Sequence, residues 1–439
     1  MKRFCALPYN NDSSSGLKDC LQEVERKKAD GGLTRLAAFA CAGSLMARNA
    51  FKANIVCFST ADWDTLLPTN KHHLMRRFAA RGSRVLFIET LGTRAPKLGS
   101  GVDVARIGRR IMRGFEGARK RLKNLWTISP VVRPRWNSAS AIELNRLAFR
   151  AQFATVAKRF PNPIAWIYNP YAVYLLETVK PAFVVYHAVD DLSAVPGADA
   201  AAIHEAEARL LARADLVICS ERSLHERMRK VNANAHFLPN VADYSHFSRP
   251  KAVRSAQLAQ LRGIARPRIV FSGNLTPHKV DFALLSKLAE KNPSANFILI
   301  GPVWEGAADN SALRRLQRNR NVTLLGAVPY EELPAHVHEA DVLVIPYVEN
   351  DATRAVFPLK LFEYLATGKP VVASTLPSLL PYVKAIRVAD SPEAWSRELA
   401  AALADPETMR DQRIALARRH TWARRVIEME ALLKELTEA

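Results

Sequence analysis

The chain has 439 residues, of which 49% are hydrophobic, and a formal net charge of +21. That length exceeds one ordinary domain and suits two, with apolar content enough for sizeable cores. The scattered cysteines (Cys5, Cys20, Cys41, Cys57 and Cys219) form no CxxC pair and no Cys/His cluster; this argues against a disulfide framework and structural zinc, and for a reducing cytoplasmic compartment.

No apolar run is long enough to span a bilayer. The nearest candidate, residues 33–47, is interrupted by Arg35 and follows a mostly polar stretch, the wrong order for a signal peptide. Residues 1–50 read as an N-terminal extension of uncertain order, with Met46 as an alternative start. From residue 53, strands and helices alternate. Strands are expected at 54–59, 84–89, 125–129, 164–168, 183–186, 216–219 and 236–239. Helices are expected at 70–81, 142–160 and 203–213. Continuous apolar strands alternating with helices imply a parallel sheet covered on both faces.

Between Val104 and Trp126, a stripe of Ile107, Ile111, Phe115, Ala118, Leu122 and Trp126 recurs at helical spacing amid Arg106, Arg109, Arg110, Arg113, Arg119, Lys120, Arg121 and Lys123. This predicts a basic amphipathic helix. It would lie on anionic lipid, or else pack on its own domain by the same stripe. Arg106, Arg109, Arg110 and Arg113 are its candidate membrane or acceptor contacts.

Residues 245–267 are basic, weakly periodic and broken by Pro250 and Pro267. They read as a linker between an N-terminal domain at 51–244 and a C-terminal domain at 268–439. The second domain has expected strands at 269–272, 297–300, 322–325 and 342–345, helices at 282–290, 311–318 and 331–339, and terminal helices from 392 to 436. Two doubly wound domains in tandem bring the C-terminal ends of both sheets to a shared cleft, where open α/β sheets bind ligands.

The segment Phe357-Pro-Leu-Lys-Leu-Phe-Glu363-Tyr-Leu-Ala-Thr-Gly368-Lys-Pro-Val-Val-Ala373 reads as a short helix followed by a buried strand. Pro358 suits the first helical position. Gly368 suits the left-handed residue that ends the helix, and Pro370 forbids continuation. The helix start, with its free N–H groups, favours phosphate. Glu363, one turn inside, would repel phosphate and therefore reads hydroxyls as an acceptor. The pair points to a nucleotide-sugar site; the plainer alternative is an acidic residue favoured by the helix dipole.

On this layout the chain resembles the retaining GT-B glycosyltransferases of the group 1 type, and in particular the branch that assembles teichuronic acid and exopolysaccharide. The landmarks are Phe271-Ser-Gly273-Asn-Leu-Thr-Pro-His-Lys279, Leu299-Ile-Gly301-Pro302, Leu325-Gly326-Ala-Val-Pro329, Ala340-Asp341-Val-Leu-Val-Ile-Pro346-Tyr347 and the segment above. Val184-Val-Tyr186-His-Ala-Val-Asp190-Asp191, Ser220-Glu-Arg-Ser-Leu224 and Leu238-Pro-Asn240-Val-Ala-Asp243 match in the N-terminal half.

The resemblance implies donor binding by Gly273, Asn274, Lys279, Gly326, Val328, Phe357, Pro358, Leu359, Lys360 and Glu363. Gly273 and Lys279 would hold the diphosphate, and Glu363 would accept from the ribose hydroxyls. For Lys279 the alternative is a surface lysine before a helix. The catalytic candidates are His187, facing the donor sugar, and Asp190 and Asp191, of which one would orient or deprotonate an acceptor hydroxyl. The two aspartates alternatively cap a helix or turn.

The chain departs from the pattern at Asn274, where Arg is frequent, and at His187, where Asp is usual. It also has Ala355 in place of the Glu that contacts the transferred sugar, with Asn350 and Asp351 nearby as substitutes. Asp62-Trp63-Asp64 spells the metal–diphosphate motif of the other glycosyltransferase fold but stands too early for it, and His72-His73 lacks a third ligand. No metal or cofactor is expected, since the nucleotide-sugar is a substrate. The expected partners are that donor, a lipid-linked or polysaccharide acceptor and an anionic membrane surface, and not nucleic acid; the expected location is the inner face of the cell membrane, as a peripheral protein. A catalytically degenerate GT-B subunit and a nucleotide-sugar epimerase on the same fold are the competing readings.

Overall fold

The computed structural model describes residues 51–92, 112–114, 116–304, 310–404 and 407–438. The extension at 1–50 and Arg106, Arg109 and Arg110 lie outside the described residues. Strands β1 (Asn54–Phe58), β2 (Arg84–Ile88), β3 (Arg119–Leu122), β4 (Leu125–Ile128), β5 (Ile164–Ile167), β6 (Phe183–Ala188), β7 (Leu216–Cys219) and β8 (Ala235–Phe237) form one sheet, in the order β3-β4-β2-β1-β5-β6-β7-β8. Every neighbouring pair is parallel except β3–β4. A second, wholly parallel sheet comprises β9 (Arg268–Ser272), β10 (Asn296–Ile300), β11 (Val322–Gly326), β12 (Val342–Ile345), β13 (Val371–Ser374) and β14 (Arg387–Ala389). Its order is β11-β10-β9-β12-β13-β14.

Apolar runs such as Ile55–Phe58 and Val342–Ile345 are fully enclosed because helices cover both faces. The strand order reverses between β1 and β5 and between β9 and β12. These are the switch points at which a doubly wound sheet leaves a crevice for ligands.

The C-terminal helix Trp422–Glu438 packs back onto helix Asn70–Ala80 of the first domain. His73 stacks on Trp422 with ring centroids 5.5 Å apart. Arg81 grips Glu430 with two bonds of 2.7 Å.

Three sequence expectations change. The amphipathic helix does not extend to Trp126: Arg119–Leu122 is an extended edge strand, paired antiparallel with β4. Asn124, with φ 64°, turns the chain at the hairpin, and β4 is held by β2 through Leu86↔Trp126 and its neighbours. The helical spacing crossed that turn by coincidence, and the basic side chains belong to an edge that charge protects from further pairing. Met112–Gly114 is helical, and Arg113 there is half-buried. The stretch read as a linker contains helix Ala256–Gly263, whose Leu258 and Leu261 enter the second domain's core. Strand β14 is the third difference, a three-residue strand that pairs with β13.

Candidate active site

A cavity of about 220 Å3 opens between the two domains at the C-terminal ends of their strands. The second domain lines it with Ser272, Gly273, Asn274 and Lys279 after β9, Tyr330 and Leu333 after β11, Tyr347 after β12, and Val356 to Lys360 with Glu363. The first domain contributes Leu67 to Lys71, Asp190 and Asn240.

Close backbone contact shapes the second domain's wall. Gly273 has φ 144°, and its N–H donates to Ile300 O at 2.8 Å. Gly301 has φ 145°, and a Cβ there would sit 1.9 Å from Gly273 O. Only glycine permits this approach of two strand ends. Lys279 is half-buried and makes no ion pair or side-chain hydrogen bond among the described residues.

Lys360 donates to Tyr347 Oη at 2.7 Å and lies over the rings of Phe271 and Tyr347, at 5.1 and 5.0 Å. Burial works against its charge, but Tyr347, Tyr364 and Glu363 outweigh burial and raise its pKa. Helix Lys360–Ala366 starts later than expected: Leu359 is its N-cap, so Pro358 precedes the helix. Gly368 ends it with φ 76°, as expected.

Glu363 is half-buried, and its carboxylate has no hydrogen-bond or ion-pair partner among the described residues. Burial pushes its carboxyl up to about 7, with Lys360 pulling it down and Asp243 adding to the rise. Beside it, the Tyr330 hydroxyl is buried without a partner, and its pKa is raised by burial first and Glu363 second. An acceptor and a donor thus stand unmet in one cavity, an arrangement suited to a polyhydroxylated ligand.

The first domain's wall is the N-terminal end of helix Asn70–Ala80. His72 Nε2 donates to Asp62 O at 2.9 Å, so Nδ1 accepts from Thr69 N–H at 3.1 Å and caps the helix. Asn70 Nδ2 donates to Asn240 Oδ1, and Asn240 Nδ2 donates to Phe357 O, each at 3.1 Å. This chain of bonds ties the two walls together. Lys71, only 4% exposed, follows Asn70 and faces the cavity.

Of the residues singled out by sequence, Gly273, Asn274, Lys279, Phe357, Pro358, Leu359, Lys360, Glu363 and Asp190 meet at this cavity. Gly326 stands at the end of β11, and Val328 is buried in the second domain's core; neither lines the cavity. His187 is buried behind the wall, with Nδ1 3.1 Å from Tyr168 Oη. Its pKa is lowered to about 3, by burial first and then by Lys71 and Arg425. Asp191 caps a short turn, accepting from Ser193 N and Oγ at 3.0 and 2.5 Å, and lies 3.6 Å from Arg227.

Ala355 is buried and packs into the first domain's core. Asn350 is committed to capping, accepting from Thr353 N and donating to His278 O, each at 2.9 Å. Neither Asn350 nor Asp351 lines the cavity. Asp64 pairs with Arg121 at 2.7 Å.

Sequence reasoning missed Lys71, Asn70, Asn240 and Tyr330 as cavity residues. A larger cavity, about 1070 Å3, lies where Pro267, Asp341 and Pro370 precede β9, β12 and β13. That is the strand end opposite to the one at which such sheets hold ligands.

Residues 266–405 match the family model described as Glycosyl transferases group 1. The putative teichuronic acid biosynthesis glycosyltransferase TuaH of Bacillus subtilis (strain 168) is 32% identical over 231 residues, covering 50% of this chain and 57% of that protein. The chain therefore matches little more than half the length of this curated relative. Sucrose-phosphate synthase from Thermosynechococcus elongatus is similar in structure, with a TM-score of 0.66 and 17% identity over 88% of this chain and 100% of that one. HepE of Anabaena in complex with UDP gives 0.61 at 15% identity over 88% of this chain and 100% of that one. Its complex with UDP-glucose gives 0.62 at 13%, with the same coverage. The two parallel-sheet domains are thus a GT-B fold, as expected from the sequence. The second of them carries a glycosyl transferases group 1 domain.

Proposed function

We propose that the protein is a glycosyltransferase that moves a sugar from a nucleoside-diphosphate-sugar donor to a lipid-linked or polysaccharide acceptor in cell-surface polysaccharide synthesis. One observation carries this reading: the unpartnered carboxylate of Glu363 shares a cavity with the unpaired ammonium of Lys279 and the half-buried backbone at Gly273. A carboxylate accepts from vicinal hydroxyls, and an ammonium neutralises phosphate. A nucleotide presents these two chemistries a few ångströms apart. The UDP and UDP-glucose held by HepE support a nucleotide-sugar donor, and the name of the TuaH relative supports the acceptor class.

In the retaining course that the resemblance implies, the bond between the anomeric carbon and the diphosphate oxygen breaks. The departing phosphate then takes the proton of the acceptor hydroxyl as the new glycosidic bond forms on the same face. No protein base is needed, which accords with the capping role of Asp191. The net charge of +21 favours an anionic surface. The protein would dock peripherally on the inner face of the membrane through Arg106, Arg109, Arg110 and Arg113.

Buried Ala355, in place of an acid, favours a second reading, a GT-B subunit that binds nucleotide or glycan without turnover. Incubating the purified chain with a panel of nucleotide sugars and lipid or glycan acceptors separates the two. Transfer to an acceptor supports the enzyme, and saturable nucleotide binding with neither transfer nor hydrolysis supports the subunit. Flotation with anionic liposomes tests docking: charge reversal at Arg109, Arg110 and Arg113 should abolish it, and unchanged flotation would reject that surface.

A further inference from the structure

Lys71 occupies a position that its own domain does not explain. It lies in the first turn of helix Asn70–Ala80 and is 4% exposed. Its ammonium has one long contact, 3.4 Å to Asn70 Oδ1, and sits 5.2 Å from the centre of the Tyr168 ring. It makes no ion pair among the described residues. A buried lysine carries a large desolvation cost unless an anion meets it. Of the groups acting on Lys71, Asp190 and then Cys57 favour the ammonium, and Lys279 opposes it. Burial outweighs Asp190 and lowers the pKa.

Lys71, Lys279 and Asp190 all line the same cavity. On the opposite wall Lys360 is already tied to Tyr347 Oη, and Asn274 is neutral. Lys279 is therefore the one free cation that the second domain offers among the cavity's described residues. A diphosphate bears one negative charge on each phosphoryl group, so a single lysine leaves it half neutralised. An anion held between Lys71 and Lys279 would pair both and replace their mutual repulsion with attraction. A sugar hydroxyl would satisfy a hydrogen bond but leave that repulsion in place.

We infer that Lys71 is a diphosphate-binding residue, so that the donor's phosphates bridge the two domains between Lys71 and Lys279. The inference rests on the cavity being a nucleotide-sugar site and adds a first-domain contact to it. Donor binding then draws the walls together through charge, in addition to the Asn70–Asn240–Phe357 chain. Because the lysine is unpaired without ligand, its removal should not weaken the fold.

The test is titration calorimetry of nucleosides and nucleoside diphosphates against the wild type, Lys71→Met and Lys71→Arg, with thermal melting of each. For the best-bound base, Lys71→Met should weaken the diphosphate about tenfold or more and leave the nucleoside unchanged. The melting temperature should hold or rise, and Lys71→Arg should recover part of the affinity. Equal weakening of nucleoside and diphosphate would overturn the inference in favour of a scaffolding role. Unchanged diphosphate affinity with lost turnover would overturn it in favour of a role on the acceptor. If the wild type binds no nucleoside diphosphate, the nucleotide-sugar reading itself falls; if the wild type binds and Lys71→Met binds equally, only this inference falls.

Discussion

The two walls of the interdomain cavity are built on different plans. The second domain's wall is mostly local: Gly273, Asn274 and Lys279 follow one strand, and Val356 to Glu363 form one continuous stretch. The first domain's wall is assembled from distant segments, with Leu67 to Lys71 after β1, Asp190 after β6 and Asn240 after β8. It is also held from outside its own domain, by Trp422 against His73 and by Phe357 O against Asn240. A wall of contiguous residues has its geometry written in spacing. An assembled wall exists only once the domains have packed.

Substitutions can break each plan separately. The largest effect is expected at Gly301, where a side chain would collide with Gly273 O and adopt φ 145°. Gly301→Val should cost about 4 kcal/mol or prevent folding, measured by urea unfolding. Gly326→Val, at φ 81° with open space around its Cβ position, should cost only about 1 kcal/mol.

Arg81→Met attacks the assembled wall. It leaves the Glu430 side chain, 4% exposed, without its guanidinium, and should destabilise by roughly 3 kcal/mol. If the melting temperature is unmoved, the C-terminal helix does not hold the first domain as described.

Glu363→Gln should weaken binding of a nucleotide-sugar about 10- to 100-fold, the value of hydrogen bonds to a charged acceptor. It should leave stability nearly unchanged at acidic pH and exceed the wild type's stability as pH rises through about 7. The wild type should also show a pH dependence that this variant lacks. The folded carboxyl titrates at about 7, above its usual range. Its contribution to stability is therefore complete at acidic pH and is lost as pH rises through about 7. Hydroxyl donors favour the ionised form, so donor affinity should rise across the same interval and then level off. A flat profile from acid to mildly alkaline pH would remove Glu363 from the binding account.

The smallest effect is expected from Asn240→Ala, which cuts the Asn70–Asn240–Phe357 chain. It should cost about 1 kcal/mol in unfolding and loosen donor binding only slightly.

How much of this was legible follows the same division. The parallel sheets could be read because fully covered strands are continuous apolar runs, as in Ile55–Phe58 and Val342–Ile345. Glu363 could be read from its place one turn inside a helix, and Gly273 and Lys279 from the family resemblance of the stretch that follows β9. Lys71 could not: Asn70, Lys71, His72 and His73 look like the polar start of a surface helix, yet all four are buried. Asn240 meets Asn70, Tyr168 lies against Lys71, Trp63 and Phe87 flank His72, and Tyr330 and Trp422 pack on His73, contacts that no local period encodes. The β3–β4 hairpin misled for the opposite reason: its charges and apolar residues matched a helical period across a turn fixed by Asn124. Ala355, which departs from the family's pattern, is buried among first-domain apolar residues rather than in the cavity.

The central claim is that Glu363 reads the hydroxyls of a nucleotide whose phosphates lie near Lys279. The most direct measurement is calorimetric titration of ribonucleoside diphosphates and their 2′-deoxy counterparts against the wild type and Glu363→Gln, at mildly alkaline pH. At least one ribonucleoside diphosphate should bind saturably to the wild type, more tightly than its deoxy form, and Glu363→Gln should erase most of that preference. Absence of saturable binding across the panel, or an undiminished preference in the variant, would contradict the account.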